Sequence, residues 1–194
     1  MSTQQQLLKW ASLHPCAILT ARIAREVTGN NVSLFTTRPM FLFSAIAMAV
    51  IVVSQGGSYL VNSMIPLGST VEWNSLVHLT HIRNMGGVFG MFQGRGWLFA
   101  LFSVALIVGL IVYLLRSPGV KHYEFICFGF IAGGGGSNIL DRLIYGSVVD
   151  FINIQHIPYW HYIFNTADVM VHVGLWPMLY LSLFERASET GTAS

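Results

Sequence analysis

"WLFALFSVALIVGLIVYLL", residues 97–115, is an apolar stretch without a single charged side chain. A helix that crosses a bilayer needs about 20 mostly apolar residues, so this stretch predicts a transmembrane helix. Three further stretches meet the same criterion with some polar interruptions: 40–62, 122–140 and 162–184. The sequence therefore predicts an all-α membrane protein with four transmembrane helices.

The composition agrees with a membrane protein. Of the 194 residues, 54% are hydrophobic and 9% are charged, and the mean hydropathy is +0.61. Soluble domains have about 25% charged residues, so this chain has too few charges to cover a surface in water. The net charge is only +2 and no basic cluster is present, which argues against nucleic acid as a partner. We expect membrane lipids among its partners.

The positions of lysine and arginine predict the orientation in the membrane. Seven of the ten lie in the N-terminal arm, the 116–121 connection and the tail: Lys9, Arg22, Arg25, Arg38, Arg116, Lys121 and Arg186. Positive residues accumulate in cytoplasmic segments, so both termini are expected in the cytoplasm and the 63–96 and 141–161 loops outside. The chain then divides into a cytoplasmic arm (1–39), a four-helix domain (40–184) and a cytoplasmic tail (185–194), which we expect to be disordered.

The first outer loop is long enough to have a structure of its own. Its segment "STVEWNSLVHLTHIRN" (69–84) alternates and is rich in β-branched residues, which predicts a small extracytoplasmic β element of one or two strands. Two histidines of this segment, His78 and His81, are expected to face solvent or lipid headgroups.

Four consecutive glycines, residues 133–136, lie inside the third predicted helix. No Lys-Ser/Thr pair follows them and no predicted strand precedes them, so they do not form a phosphate-binding loop. Small residues let helix backbones approach closely. We expect these glycines to pack helices together.

The three aspartates of the chain, Asp141, Asp150 and Asp168, lie between the end of the third helix and the start of the fourth. A proline at position 158 breaks the helical pattern, so the chain is expected to reverse there and bring Asp168 back toward Asp150. Two carboxylates at close range do not easily both ionise, and one of them stays protonated. Such a pair can activate water and polarise an amide carbonyl.

The residues alone leave other interpretations open. Asp168 could cap the fourth helix, because aspartate is favoured at that position, and Asp150 could be a solvated loop residue. The carboxylates could also relay protons or bind cations in a transporter. Residues of that kind usually lie near midspan on several helices, whereas these cluster near one face.

Three motifs resemble those of the lipoprotein signal peptidases, also called type II signal peptidases. They are "RNMGGVFGMF" (83–92), "GGGGSNILDRLIYGSVVDF" (133–151) and "FNTAD" (164–168), and the resemblance covers about residues 41–184. It implies an aspartic endopeptidase of the bacterial inner membrane that cuts prolipoproteins just before their diacylglyceryl-modified cysteine. It also implies no cofactor and no metal, and we expect the protein to act as a monomer.

The resemblance assigns roles to individual residues. Asp150 and Asp168 match the catalytic pair. Four polar residues match positions that shape the site and hold the substrate backbone: Asn84, Asn138, Arg142 and Asn165. Asp141 and Gly86 match supporting positions, with Asp141 expected to orient Arg142.

One stretch departs from the family pattern. The first helix of the family usually has Asp-Gln-x-x-Lys, and the matching residues here are Ser54, Gln55 and Ser58. The chain is therefore interpreted as a divergent member. The alternative is a paralogue that binds lipoprotein precursors with altered specificity or without cutting them.

Overall fold

The computed structural model describes residues 34–87, 90–159 and 161–191. Four helices lie in these ranges: α1 (Leu34–Met64), α2 (Gly96–Arg116), α3 (His122–Tyr145) and α4 (Thr166–Gly191). Four strands accompany them: β1 (Thr70–Glu72), β2 (Val77–Asn84), β3 (Val148–Ile154) and β4 (Ile163–Phe164). Most of the expected N-terminal arm, and the last three residues of the tail, lie outside the described residues.

Three of the helices are long and apolar enough to cross a membrane. The segments are Pro39–Met64, Gly96–Arg116 and Thr166–Phe184. They correspond to the first, second and fourth predicted spans, which confirms a mostly helical protein with membrane-spanning helices. The last one begins later than predicted, because residues 163–164 form β4 and the helix starts at residue 166. It also continues to Gly191, so the expectation of a disordered tail is wrong as far as that residue.

Helix α3 contacts each of the other three helices. A Cβ at Gly133 would lie 2.8 Å from the carbonyl oxygen of Ala47 in α1, and a Cβ at Gly134 would collide with the carbonyl oxygen of Ala167 in α4. The packing role predicted for the glycine run is therefore confirmed at these two residues. Since α3 faces protein on several sides, it has buried residues along most of its length.

The strands form one antiparallel sheet in the order β1-β2-β3-β4. Strands β1 and β2 confirm the strands predicted between residues 69 and 84. Strands β3 and β4 were not expected, because residues 148–151 are all buried and "VVDFINI" shows no alternation of apolar and polar residues. Gly146 ends α3 with a φ of 71° in the left-handed region, and the chain turns there into β3.

An apolar cluster fixes the sheet to the helices. Val61 in α1 and Ile65 just after it pack against Val149 and Phe151 of β3. Next to this cluster, Nδ1 of His81 lies 2.7 Å from the carbonyl oxygen of Ile65. The expectation that His81 faces solvent or headgroups is wrong, because only 2% of this residue is exposed.

Candidate active site

Asp150 lies on β3, and the neighbouring strand determines what its carboxylate meets. Ile82 of β2 is paired opposite Asp150, so Asn84, two residues further along β2, faces the same side of the sheet. Nδ2 of Asn84 donates to Oδ2 of Asp150 at 3.0 Å. Asp150 belongs to a strand and is only 2% exposed, so the interpretation of it as a solvated loop residue is wrong.

Asp168 lies in the first turn of α4 and caps that helix together with Asn165. The backbone N–H of Asp168 donates to Oδ1 of Asn165 at 3.0 Å, and the backbone N–H of Asn165 donates to Oδ2 of Asp168 at 3.2 Å. This reciprocal arrangement is a capping box with Asn165 at the N-cap and Asp168 three residues later, so Asp168 takes part in capping α4 but is not its N-cap residue. Its other oxygen, Oδ1, accepts a hydrogen bond of 2.8 Å from Nδ2 of Asn138 in α3.

Asn165 connects the two aspartates. Its Nδ2 donates to Oδ1 of Asp150 at 2.8 Å and to Oδ1 of Asn138 at 3.1 Å, while its backbone N–H reaches Asp168. The predicted chain reversal is confirmed by the antiparallel pairing of β3 with β4. One residue therefore contacts both carboxylates of the predicted pair.

The environments of the two aspartates differ. The pKa of Asp150 is raised to about 7, chiefly because burial disfavours the charged form and secondly because Asp168 carries negative charge. Hydrogen bonds from Asn84 and Asn165 act in the opposite direction, since they favour the ionised carboxylate. Asp168 lies at the N-terminus of α4, where the helix dipole stabilises negative charge. Two carboxylates that share Asn165 do not easily both ionise, and the raised pKa of Asp150 favours this residue as the protonated member of the pair.

Arg142 of α3 connects this helix to the loop between β2 and α2. Its Nη1 donates to the carbonyl oxygen of Asn138 at 3.1 Å, and its Nη2 donates to that of Gly86 at 2.9 Å. The backbone N–H of Gly86 in turn donates to Oδ1 of Asn84 at 3.0 Å. A Cβ at Gly86 would collide with the loop backbone, so glycine is required there. A continuous path of hydrogen bonds thus runs from α3 through the loop to Asp150.

Asp141 is buried next to the start of β3. Three donors surround its carboxylate: Nε2 of Gln55 at 2.8 Å, Oγ of Ser58 at 3.1 Å and the backbone N–H of Val149 at 3.0 Å. The hydrogen bonds of Arg142 go instead to backbone carbonyls. Asp141 therefore fixes the backbone beside the first aspartate of the pair rather than the Arg142 side chain.

Gln93 was not expected at the site. Its Nε2 donates to Oδ1 of Asn84 at 3.2 Å and to the carbonyl oxygen of Gly90 at 2.8 Å, and its Oε1 accepts from the backbone N–H of Met85 at 3.2 Å. It thereby closes the loop on itself beside Asn84. In the sequence, Gln93 is a glutamine in a glycine-rich stretch. A glutamine that faces solvent can have the same neighbours, so this pattern does not predict a role at the site.

A cavity of about 1160 Å³ opens beside the aspartates. Its polar wall includes Asp150, Asp168, Asn84, Asn138, Arg142 and Gln93. Its apolar wall is shared by the sheet, α3, α4 and one face of α2, which contributes Leu98, Phe99, Phe102, Leu106 and Ile107. Asn165, expected to hold the substrate, is 2% exposed and contacts the carboxylates from behind the cavity wall. The arrangement can bind an apolar peptide segment with one of its amides next to the two aspartates.

The sequence is similar to a known protein family and to several of its members. A family model described as signal peptidase (SPase) II matches residues 46–184. The lipoprotein signal peptidase of Anoxybacillus flavithermus is 30% identical over 155 residues, which cover 79% of this chain and 92% of that protein. The lipoprotein signal peptidase of Synechocystis is 35% identical over 151 residues, which cover 76% of this chain and 91% of that protein.

The fold is similar to that of two solved structures. One structure, described as a bacterial membrane enzyme, has a TM-score of 0.67 at 23% identity and covers 75% of this chain and 88% of that chain. A second, described in the same words, has a TM-score of 0.63 at 24% identity and covers 72% and 90%. The fold agrees with these structures. From the family match and the curated relatives, the chain belongs to the signal peptidase (SPase) II family of aspartic peptidases.

Proposed function

We propose that this chain is an intramembrane aspartic endopeptidase that removes the signal peptide from prolipoproteins, with Asp150 and Asp168 as its catalytic residues. Membership of the signal peptidase II family supports the reaction. The observation that carries the residue assignment is the position of Asn165, which donates to both carboxylates. The cut lies immediately before the diacylglyceryl-modified cysteine of the substrate.

The two aspartates divide the acid and base roles between them. Asp168, ionised at the N-terminus of α4, removes a proton from a water molecule as that water attacks the scissile carbonyl carbon. Asp150, protonated, transfers its proton to the carbonyl oxygen, which gives a tetrahedral gem-diol. Asp168 then passes its proton to the leaving nitrogen as the C–N bond breaks. One hydroxyl of the gem-diol returns a proton to Asp150, and both residues regain their starting states.

The polar wall of the cavity supplies partners for the substrate backbone. A peptide amide without a partner in a membrane costs several kcal/mol. Arg142 lines the cavity with its positive charge, and we assign its side chain to a substrate carbonyl. Asn84 and Asn138 lie in the same wall and complete this set. We assign Asn165, Gly86 and Asp141 to positioning, since they contact other residues of the site.

The apolar wall accepts the apolar part of the signal peptide. Phe99, Phe102 and Leu106 are spaced by three and four residues, so they lie on one face of α2, and this face lines the cavity. The lipid chains on the substrate cysteine remain in the bilayer.

We place α3 in the membrane as a fourth span. Its 24 residues give a length of about 36 Å, more than the ~30 Å hydrocarbon core of a bilayer. Gly133 and Gly134 in its middle contact α1 and α4 rather than lipid. The lysine and arginine distribution supports an orientation in which both termini, with the arm 1–39 and the tail 185–194, are in the cytoplasm. The sheet and the aspartates lie at the outer face of a bacterial inner membrane, and a site within one chain suits a monomer.

The first-helix stretch favours a second candidate function, a paralogue that binds lipoprotein precursors without cutting them. Ser54 and Ser58 replace the two charged residues of the family pattern. However, Gln55 and Ser58 still donate to Asp141. Neutral donors therefore hold this carboxylate where the family pattern has charged residues nearby. We therefore favour an active peptidase.

The deciding experiment uses the purified full-length protein and a diacylglyceryl-modified prolipoprotein. Asp150→Asn and Asp168→Asn are compared with the unmodified protein and with Glu72→Gln, a carboxyl-to-amide change at an exposed residue of β1. We expect cleavage by the unmodified protein and by Glu72→Gln. We expect a loss of at least about 1,000-fold in each aspartate variant.

The outcomes separate the candidate functions. Precursor binding without cleavage by the unmodified protein would favour the non-cutting paralogue. Full activity of either aspartate variant would contradict the assignment of the catalytic pair. Ion flux in proteoliposomes that requires Asp150 or Asp168 would favour a transporter instead.

A further inference from the structure

The amide of Asn84 has a fixed orientation. Its Oδ1 accepts from two donors, the backbone N–H of Gly86 at 3.0 Å and Nε2 of Gln93 at 3.2 Å. Because the oxygen is engaged on that side, Nδ2 is the end of the amide that reaches Asp150 and donates to its Oδ2 at 3.0 Å. Nδ2 also donates to the carbonyl oxygen of Gly87 at 3.1 Å. The direction of the Asn84 amide is therefore held at both ends, by the two donors at its oxygen and by the two acceptors at its nitrogen.

Of these two donors, Gln93 is the one that donates from its side chain. Its own amide is held on both sides, since Oε1 accepts from the Met85 N–H at 3.2 Å and Nε2 also donates to the Gly90 carbonyl at 2.8 Å. These contacts lie within the loop and at Asn84, and none of these three hydrogen bonds reaches Asp150. An effect of Gln93 on the carboxyl group is therefore expected to pass through Asn84.

We propose that Gln93 is a positioning residue for the reaction, which keeps the donor end of the Asn84 amide on Asp150 by donating to the Asn84 oxygen. The inference rests on the proposed catalytic role of Asp150. Without Gln93 the Asn84 oxygen keeps only the backbone N–H of Gly86 as a donor, so the amide is held less firmly and more often presents its oxygen to the carboxyl group. A protonated Asp150 can donate to that oxygen, whereas an ionised Asp150 is repelled by it. Loss of Gln93 therefore favours the protonated form.

Because loss of Gln93 favours the protonated form of Asp150, we expect it to shift the alkaline side of the pH–activity profile. In the proposed reaction Asp150 acts as the acid, so activity is lost as pH rises and this residue ionises. Asp168 and Asp141 are the carboxylates whose negative charge also acts on Asp150, and Arg142 reaches the same loop through Gly86. Substituting Gln93 by leucine changes none of these charges, so a displaced profile reports the lost hydrogen bond.

The test measures kcat/KM for a diacylglyceryl-modified prolipoprotein between about pH 5 and 9. It compares the unmodified protein, Gln93→Leu, Asn84→Ala and the double variant. Gln155→Leu is the matched control, because this glutamine follows β3 and donates to the carbonyl oxygen of Asn153. If Gln93→Leu does not fold, Gln93→Ala provides the same comparison.

We expect Gln93→Leu to lose about tenfold in kcat/KM and to shift the alkaline limb upward by ~0.5 pH unit or more. The double variant is expected to be no worse than Asn84→Ala, because the effect of Gln93 passes through Asn84. Gln155→Leu is expected to match the unmodified protein.

An alkaline limb that stays in place in Gln93→Leu would overturn the inference, even if the variant melts at a lower temperature. Losses that multiply in the double variant would overturn it as well, since they would mean that Gln93 acts independently of Asn84. A failure of the proposed function has a different result: an unmodified protein that does not cleave, or an Asp150→Asn variant that does.

Discussion

Asn165 and Asp168 cap the N-terminus of α4 reciprocally, each accepting the backbone N–H of the other, at 3.0 Å and 3.2 Å. The carboxylate proposed as the catalytic base is therefore part of the hydrogen bonding that starts a membrane-spanning helix. This explains why a charged residue lies at the beginning of an apolar stretch. The start of α4 therefore fixes the position of the Asp168 carboxylate. Asn165 also donates to Asp150 at 2.8 Å, so the position of Asp150 depends on the same cap.

The two roles of Asn165 can be separated by substitution. Serine is a good N-cap residue and alanine is not, so Asn165→Ser should retain about 1 kcal/mol of stability that Asn165→Ala loses. Neither side chain can donate to Asp150 as the amide does. We therefore expect both variants to lose about 100-fold in kcat, by analogy with the removal of one positioned donor from an active site.

Melting temperature in detergent and kcat are measured on the same preparations. A serine variant with full activity would mean that the Asn165 amide is dispensable for the reaction. Equal melting temperatures for the two variants would mean that the cap at α4 contributes little to stability.

The raised pKa of Asp150 predicts how stability depends on pH. Its value of about 7 in the folded protein is above the ordinary value of 3.8, so the folded state binds this proton more tightly than the unfolded state does. The stabilisation is fully present below about pH 4 and is lost as pH rises toward 7. We expect the melting temperature to fall over this window relative to that of Asp150→Asn, and to stop falling above it. Parallel curves for the two proteins would contradict the raised pKa.

Much of this site could be predicted from the sequence, because the relevant residues lie in short motifs. The helices were predictable from apolar length, and the aspartates from their rarity in an apolar chain. The reversal that joins them was predictable from the proline at position 158. In each case a local property of a few residues was sufficient.

The remaining features depend on contacts between segments that are distant in the sequence. Strand β3 shows no alternation, since it is covered by α1 on one side and by the polar site on the other. His81 is buried because the chain after α1 folds over β2. Gln93 becomes a site residue only when the loop closes beside Asn84. The spacing of apolar and polar residues within one segment does not predict these contacts.

The consecutive glycines Gly134 and Gly135 are predicted to differ sharply on substitution by alanine. A Cβ at Gly134 would collide with the carbonyl oxygen of Ala167, the residue before Asp168, so Gly134→Ala should cost about 1–3 kcal/mol and impair activity. A Cβ at Gly135 would lie 3.5 Å from Cδ1 of Ile107, an ordinary contact, so Gly135→Ala should be tolerated. Melting temperature and kcat/KM of the two variants provide the check, and equal losses would contradict the assigned packing.

A larger side chain at Gly135 tests the cavity itself. Gly135 lines the cavity, and the space beyond its Cβ position is bounded by Ile107. We expect Gly135→Leu to fold like Gly135→Ala but to lose about tenfold or more in kcat/KM, because the added side chain occupies space proposed for the substrate. Unchanged kcat/KM for the leucine variant would place the substrate elsewhere.

Ser54 and Ser58 provide a matched pair of substitutions on α1. Both residues are buried, and one helical turn separates them. Oγ of Ser58 donates to Asp141 at 3.1 Å, whereas Oγ of Ser54 is buried without a hydrogen-bond partner among the described residues. Removing a donor from a buried carboxylate costs about 1–3 kcal/mol, so Ser58→Ala should lower the melting temperature. Ser54→Ala removes an unsatisfied group and should be neutral or stabilising. If the two variants were equally stable, Asp141 would not depend on Ser58, and the neutral donors of this stretch would not replace the charged pair of the family.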